Sequence, residues 1–355
     1  MRIYRKIYKI ILLILLCSFC LVGCGGLPGL PGLSPVEGSG SDSNGSSSNN
    51  NQGSGGSSSN NQSSNNNERE DTGERRPVKA PSSVLVPSTG DDFIELGGAT
   101  LDFSNANRGY VMVNYIGNAE RLQVHVTQPE APQLYRYDVW SGTGWQVIPL
   151  SRGSGSYRIE ILEHVEGMFF SNLISHTLEV NISDQFLPFL YPNQHVNFNS
   201  RTQAVIKAAE IVADAMDDLH AVELIYQFVI NTLIYDEAFA NAVIAGDVRF
   251  YVPDLDEVLK RGRGVCFDYA SLMTAMLRAQ HIPTRFITGF IPSGEMHAWV
   301  MIFTKETGWV GVAEFRGRQW TLVDPTFSAA AIGGNQGELA SFIGDGRNYT
   351  EMFIR

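Results

Sequence analysis

Cys266, His297 and Asp324 are three residues whose types and spacing could together carry out nucleophilic chemistry. Attack on a carbonyl carbon needs a thiolate, an imidazole that accepts and returns a proton, and a third group that holds the imidazole in place. Each residue is predicted to lie at the edge of a helix or strand, where side chains far apart along the chain can converge. Spacing alone is weak evidence, because three structural residues could show the same pattern.

Cys266 is predicted to lie where a glycine-containing loop becomes a helix. Backbone N–H groups at a helix start have no partner within the helix, and the positive end of the helix dipole favours a thiolate there. Asp268, two residues further on, is interpreted as a favourable charge in the first helical turn. The alternative is a small buried cysteine that only fills space in the core.

The first residues of the chain predict export and lipid attachment. Four basic residues within the first nine are followed by an apolar run that is short for a membrane span, which is typical of a signal peptide over residues 1–23. Leu21-Val22-Gly23-Cys24 resembles the bacterial lipobox, so Cys24 is the expected site of lipid attachment. Two acyl chains then anchor the protein at the extracellular face of the bacterial cytoplasmic membrane. A plain secretory cleavage and a retained N-terminal helix are the alternatives.

Cys17 and Cys20 lie within the predicted signal peptide and Cys24 carries the expected lipid. Only Cys266 then remains as a thiol, so no intramolecular disulfide is expected. A single thiol in an exported protein is exposed to oxidation. It is therefore either safely buried or kept for its reactivity.

Residues 24–87 are predicted to form a disordered linker. Between positions 38 and 67 every residue except Asp42 is Gly, Ser, Asn or Gln, a composition that cannot bury enough apolar surface to fold. A flexible coil of this length spans about 40 Å, which allows the folded part to work within a cell-wall layer. The net charge of −11 repels phosphate backbones, so nucleic acid is excluded as a partner.

Residues 88–190 are predicted to form an all-β domain. Apolar and polar residues alternate with period two, as at Leu122, Val124 and Val126, and seven or more short strands are indicated. This pattern is typical of an antiparallel sandwich of immunoglobulin-like type. The sequence from Ser141 to Gly144 predicts a hairpin turn.

Residues 191–355 are predicted to form an α+β domain, because helical patterns come first and strand patterns follow. We expect an antiparallel sheet with helices against one side. The predicted helices cover residues 204–215, 218–233, 255–260 and 265–280, and the predicted strands cover 284–291, 297–303 and 319–323.

Five short sequences in this region together resemble the transglutaminase-like superfamily of papain-type folds. The resemblance covers about residues 204–327 and implies a cysteine-bearing helix packed against an antiparallel sheet. It implies that Cys266 is the nucleophile, His297 the general base and then acid, and Asp324 the carboxylate that orients the imidazole. The five sequences are Gly264-Val-Cys-Phe-Asp-Tyr-Ala270, Leu277-Arg278-Ala-Gln-His-Ile282-Pro283, Gly289-Phe290, His297-Ala-Trp299 and Asp324-Pro-Thr326.

Further site residues are predicted around this set. The Cys266 backbone N–H is an expected donor to the tetrahedral oxygen, and Tyr235 is the proposed second donor, with a packing role as its alternative. Gly264 and Trp299 are assigned to the substrate cleft. No cofactor or metal is expected, and the calcium sites of animal transglutaminases have no visible counterpart in this sequence.

The implied chemistry is acyl transfer on protein or peptide amides through a thioester acyl-enzyme. Water as acceptor makes the protein a peptidase or deamidase, whereas an amine makes it a crosslinking acyltransferase, and the sequence leaves both open. Cell-wall peptides and neighbouring surface proteins are both within reach of the tether. The alternative function is a non-catalytic envelope binding or scaffold protein that uses the same fold.

Overall fold

The computed structural model describes residues 75–291, 294, 296–305, 307–311, 313–316, 319–322 and 349–355; for Pro132, 313–316 and 319–322 it describes the backbone alone. These residues belong to one compact unit, residues 69–355. The predicted signal peptide, Cys24 and Asp324 lie outside the described residues. Within the described ranges, no helix combines the length and the apolar character that crossing a bilayer requires.

The N-terminal part of this unit consists of two four-stranded antiparallel sheets around one apolar core. The strands are β1 (Phe93–Leu96), β2 (Ala99–Asp102), β3 (Tyr110–Tyr115), β4 (Arg121–Gln128), β5 (Ala131–Trp140), β6 (Gln146–Pro149), β7 (Gly155–Glu166) and β8 (Phe169–Val180). One sheet has the order β1-β2-β3-β6 and the other β5-β4-β7-β8. The prediction of an N-terminal β-sheet region is confirmed.

The core of these sheets follows the period-two pattern of the sequence. Leu122, Val124 and Val126 on β4 are buried in the shared core, and the residues between them are half-buried. Tyr157 at the start of β7 places its hydroxyl 3.1 Å from the Leu150 carbonyl oxygen and 2.8 Å from that of Gly153. A tyrosine that closes the corner before its strand in this way is typical of immunoglobulin-type sandwiches.

The prediction of a hairpin turn from Ser141 to Gly144 is wrong. Strand β5 pairs with β4, whereas β6 pairs with β3 in the other sheet, so this turn carries the chain from one sheet to the other. Gly142 and Gly144 have φ angles of 76° and 78°, in the left-handed region that favours glycine. The glycines therefore predicted a turn correctly, but turn residues do not determine which strands pair.

The C-terminal part is an α+β arrangement, as predicted. Its helices are α1 (Gln203–Ile211), α2 (Asp218–Thr232), α3 (Glu237–Ala245), α4 (Leu255–Arg261) and α5 (Cys266–Ala279). Its strands are β9 (Ile234–Tyr235), β10 (Arg263–Gly264), β11 (Thr284–Phe290), β12 (Met296–Thr304), β13 (Gly308–Gly311), β14 (Ala313–Arg316), β15 (Gln319–Leu322) and β16 (Thr350–Ile354). The main antiparallel sheet has the order β13-β12-β11-β16, whereas β9 and β10 form a separate parallel pair. The sequence did not predict α3 or the strands β9, β10, β13, β14 and β16.

Helix α5 lies at the centre of this region. Every residue from Asp268 to Ala279 is buried, since the helix packs against α1, α2 and α4 and against β11 and β12. Only Cys266 and Phe267, in its first turn, are half-buried. A helix enclosed on all sides has little freedom to shift, so its first residue has a well-defined position.

Arg278 near the end of α5 is a fully buried cation whose guanidinium bonds backbone oxygens of distant segments. Its guanidinium donates to the carbonyl oxygens of Tyr191 at 2.6 Å, of Thr284 at 2.8 and 2.9 Å and of Arg355 at 2.8 Å. Burial lowers the pKa of Arg278 to about 9, so the side chain stays charged at neutral pH. One side chain thus joins α5, the start of β11, the segment that follows the sandwich and the end of β16.

Residues 75–84 lie within the predicted linker but are anchored to the C-terminal part of the unit. Arg76 forms an ion pair with Asp218, and the Gln280 side chain bonds the backbone of Lys79 in both directions, at 3.0 and 3.1 Å. Val84 is buried in the core that surrounds α5. This end of the predicted linker is therefore part of the packed unit.

We predict that Arg278→Met lowers the free energy of unfolding by about 3 kcal/mol or more, because buried backbone oxygens of Tyr191 and Thr284 lose their Arg278 donors, whereas that of Arg355 keeps the Phe286 N–H. Urea denaturation followed by circular dichroism measures the change. Arg158→Met is the control, since the Arg158 side chain is 55% exposed and pairs with Glu160 at the surface. The control should change stability by less than about 1 kcal/mol. Equal losses in the two variants would contradict the assigned role of Arg278.

Candidate active site

Cys266 is the first residue of α5 and the free cysteine among the described residues. The preceding residue, Val265, is extended with φ −100° and ψ 177°, so the chain turns sharply into the helix at the thiol. The side chain is half-buried and packs in part against the core around α5. The predicted loop-to-helix position of Cys266 is confirmed by this geometry.

The short parallel pair of β9 and β10 lies directly before Cys266. Tyr235 is the register partner of Gly264, and the Asp236 N–H donates to the Gly264 carbonyl oxygen at 3.0 Å. Tyr235 is half-buried and packs against the same core as Cys266. The structure thus brings Tyr235, 31 positions earlier in the chain, beside the segment that leads to the thiol.

Gly264 is buried, and packing requires that it has no side chain. A Cβ atom there would lie 2.5 Å from the Cβ atom of Asp268. The glycine therefore allows the chain to pass close against the first turn of α5. Since Gly264 exposes little surface, its assignment to the substrate cleft stays a prediction.

His297 is the second residue of β12 and only 7% exposed. Its ring is nearly parallel to that of Trp299, with 6.4 Å between the centroids, so both side chains lie on one face of the strand. Tyr349 meets the two rings edge-on, 5.1 Å from Trp299 and 6.4 Å from His297. Trp299 is 5% exposed, so it fills this aromatic cluster and presents little surface to a cleft.

The first turn of α5 lies over the strand pair that carries His297. The rings of Phe267 and Phe286 meet edge to face with 4.8 Å between centroids, and Phe286 pairs in register with Val300 of β12. Ala298 and Val300 belong to the core around α5, so the pleat places the His297 side chain on the other face of β12. The structure brings together the elements that bear Cys266 and His297, and Asp324 lies outside the described residues.

Asp268 does more in the structure than place a charge in the first turn. Its fully buried carboxylate accepts a hydrogen bond from the Val265 N–H at 2.8 Å, another from the Tyr251 hydroxyl, and a third from Arg261 at 3.2 Å. Burial raises the pKa of Asp268, and these bonds oppose the shift. The sequence placed Asp268 correctly in the first turn, but nothing in the local pattern around Tyr251 indicated that it would reach this carboxylate.

No group of three or more His, Cys, Asp or Glu side chains within the described ranges is arranged to hold a metal ion.

Comparison with known proteins identifies the region that contains this site. Residues 207–313 match the model of the transglutaminase-like superfamily. These residues form a transglutaminase-like domain. The matched range includes Tyr235, Cys266 and His297 but ends before Asp324, so the match supports the placement of the first three residues within the domain and leaves Asp324 a prediction.

An individual relative of this chain is distant. An uncharacterised protein of Mycobacterium leprae is 26% identical over 182 residues, which are 48% of this chain and 54% of that protein. The chain thus spans about half the length of this relative.

Two solved structures are among those similar to parts of this chain. A candidate cysteine protease from Cytophaga hutchinsonii has 14% identity and a TM-score of 0.33, over 69% of this chain and 83% of that chain. A fibronectin type III domain of human collagen α1(XX) has 9% identity and a TM-score of 0.21, over 28% of this chain and 92% of that chain. These scores are too low to support an argument about function.

Proposed function

We propose that this protein is a lipid-anchored component of a bacterial envelope that transfers acyl groups from protein or peptide amides through Cys266. The observation that carries the proposal is the position of the thiol. Cys266 begins the buried helix of a transglutaminase-like domain, keeps part of its surface exposed, and lies over the strand pair that bears His297.

In the proposed reaction His297 has already accepted the thiol proton of Cys266, and the resulting thiolate attacks the carbonyl carbon of an amide. The tetrahedral intermediate collapses, the carbon–nitrogen bond breaks, and His297 protonates the departing amine. A thioester on Cys266 remains. Water or a second amine, deprotonated by His297, attacks the thioester and restores the thiol, and Asp324 holds the imidazole in the productive tautomer.

In the proposed site the His297 imidazole has to reach the Cys266 thiol from the face of β12 that points away from α5. Because Ala298 packs towards α5, the imidazole of His297 has to reach the thiol past the N-terminal end of the strand rather than through the packed face. His297 is one residue from that end. A histidine in the middle of β12 could not reach past the end of the strand. The position of His297 near that end therefore supports its assignment as the catalytic base.

Negative charge on the tetrahedral oxygen needs donors, and we assign the first role to the Cys266 N–H at the helix start. Tyr235 is the proposed second donor. Its pairing with Gly264 supports this choice, because it keeps the tyrosine backbone beside the segment that leads into α5.

The proposed substrates are protein segments or cell-wall peptides outside the membrane, with Gly264 and Trp299 near the reacting amide. Lipid at Cys24 and the linker after it keep the enzyme on the extracellular face of the cytoplasmic membrane. The N-terminal sheets are proposed to be an immunoglobulin-like sandwich, an assignment that the Tyr157 corner supports.

A second function has an observation in its favour. His297 and Trp299 are 7% and 5% exposed, which suits a closed aromatic cluster better than an open catalytic groove. The chain is then a non-catalytic binding or scaffold protein that retains the transglutaminase-like fold.

Iodoacetamide labelling of Cys266 separates the two functions. We predict fast alkylation near neutral pH with a weak pH dependence, because an imidazole-paired cysteine is already a thiolate. His297→Ala should slow the reaction by about tenfold or more at that pH and restore the steep pH dependence of a free thiol.

His176→Ala is the matched control, since His176 stacks on Phe103 within the sandwich and should leave the labelling rate unchanged. Slow wild-type labelling with the pH profile of an ordinary thiol would favour the binding function instead.

The acceptor is identified with a glutaminyl peptide and a labelled primary amine. We predict that the wild-type protein converts the peptide and that Cys266→Ala does not, with mass spectrometry as the measurement. Incorporation of the amine shows a crosslinking transferase, and release of the free acid alone shows a hydrolase. Conversion by Cys266→Ala at the wild-type rate would remove the cysteine from the mechanism.

Tyr235→Phe tests the second oxyanion donor. We predict a fall in turnover of about a hundredfold with the thiol labelling rate unchanged, because the lost hydroxyl stabilises the transition state and not the thiolate. Tyr110→Phe, within the sandwich, controls for loss of a tyrosine hydroxyl elsewhere in the fold. A loss of less than a few-fold returns Tyr235 to a packing role.

A further inference from the structure

Three separate segments of the chain meet on one carboxylate two residues after Cys266. Asp268 belongs to α5 and Tyr251 to the segment after α3, and Arg261 is the last residue of α4. The Asp268 side chain has no exposed surface, whereas that of Arg261 is 37% exposed. This cluster is therefore closed at the carboxylate, and it reaches solvent through the Arg261 guanidinium and the half-buried Tyr251.

The two oxygens of Asp268 have different partners. Oδ2 accepts from the Val265 N–H at 2.8 Å, and this bond holds the junction between β10 and α5. Oδ1 accepts from the Tyr251 hydroxyl and from Arg261, which also donates to the Tyr251 oxygen at 2.9 Å. An amide in place of the carboxylate has only one oxygen, so it cannot accept hydrogen bonds both from the Val265 N–H and from the Tyr251–Arg261 pair.

The burial of Asp268 distinguishes it from the other acidic residues at helix starts in the described part of this domain. Asp217, Asp236 and Asp254 each cap a helix, and each is half-buried or exposed. Burying a carboxylate is unfavourable unless its hydrogen bonds are made. A carboxylate that only caps a helix does not need to be buried. The one cap-like carboxylate that is fully buried is next to the proposed nucleophile.

We propose that Asp268 is a positioning residue for Cys266. Its carboxylate holds the Gly264–Val265 junction against the Tyr251–Arg261 pair, and this clamp fixes the direction in which the first turn of α5 presents the thiol and the Cys266 N–H. The missing room for a Cβ atom at Gly264, 2.5 Å from the Asp268 Cβ, is part of the same clamp. The inference rests on the proposed function of Cys266 and adds the device that orients it.

A positioning role and a purely electrostatic role of Asp268 predict opposite effects of Asp268→Asn on the rate of Cys266 alkylation. A carboxylate near a thiol disfavours the thiolate, so if charge alone mattered, Asp268→Asn would speed alkylation at low pH. If the clamp matters, the same variant loosens the first turn, weakens the stabilisation of the thiolate by the helix N-terminus, and slows alkylation.

The test measures iodoacetamide alkylation of Cys266 in the full chain between about pH 5 and 9, with hydrogen exchange of the amides of residues 266–269. We expect Asp268→Asn to slow alkylation near pH 6 by about tenfold and to speed exchange of these amides by a similar factor. Tyr251→Phe should produce a few-fold change in the same directions. Asp217→Asn removes a cap carboxylate from α2, where no reacting residue lies, and should leave both readouts unchanged.

Alkylation of Asp268→Asn at the wild-type rate or faster, with unchanged exchange of the first-turn amides, overturns the inference. If Asp268→Asn does not fold, Tyr251→Phe decides the matter on the same two readouts. Slow alkylation of the wild-type protein contradicts the proposed function, and the exchange measurement still tests the clamp independently of any reactivity.

Discussion

The burial of α5 is the constraint on which the rest of the C-terminal region depends. Twelve consecutive residues, Asp268–Ala279, are enclosed by three helices and two strands, so the helix cannot slide or rotate without breaking close packing on every side. Only Cys266 and Phe267, the first two residues of the helix, escape this enclosure. The position of Cys266 is therefore determined by the core, whereas its surroundings are determined by the shorter segments β9 and β10.

Buried charges at the two ends of α5 match the helix dipole. Asp268 lies at the positive end and Arg278 at the negative end, and each bonds to segments distant in the chain. Apolar residues of similar size could have filled both positions with a smaller desolvation penalty. The charged groups add specificity, because their hydrogen bonds determine which backbone groups lie opposite each end of the helix.

The sequence predicted those parts of the structure whose signal is local. The loop before Cys266, the helix that follows it and the strand that bears His297 are such features, and the helix start was placed to within one residue. Helix α3 was missed because none of its residues is buried, so its apolar side chains mark no single face. The contacts of Tyr349 with Trp299 and of Tyr251 with Asp268 were also missed, because each joins segments that have no pattern in common.

The N-terminal sheets take part in holding the strand that bears His297. Strand β16 pairs with β11, and the Ser151 hydroxyl of the sandwich side donates to the Ile354 carbonyl oxygen at 2.5 Å, while Tyr135 packs edge-on against Phe353 at 5.3 Å. Strand β11 in turn pairs Gly289 with His297, and a Cβ atom at Gly289 would lie 2.0 Å from the Thr350 carbonyl oxygen. The glycine is thus required by the close approach of β16, and contacts run from the N-terminal sheets through β16 and β11 to the strand that bears His297. The two parts of the chain form one unit, and the N-terminal sheets support the strand that bears His297.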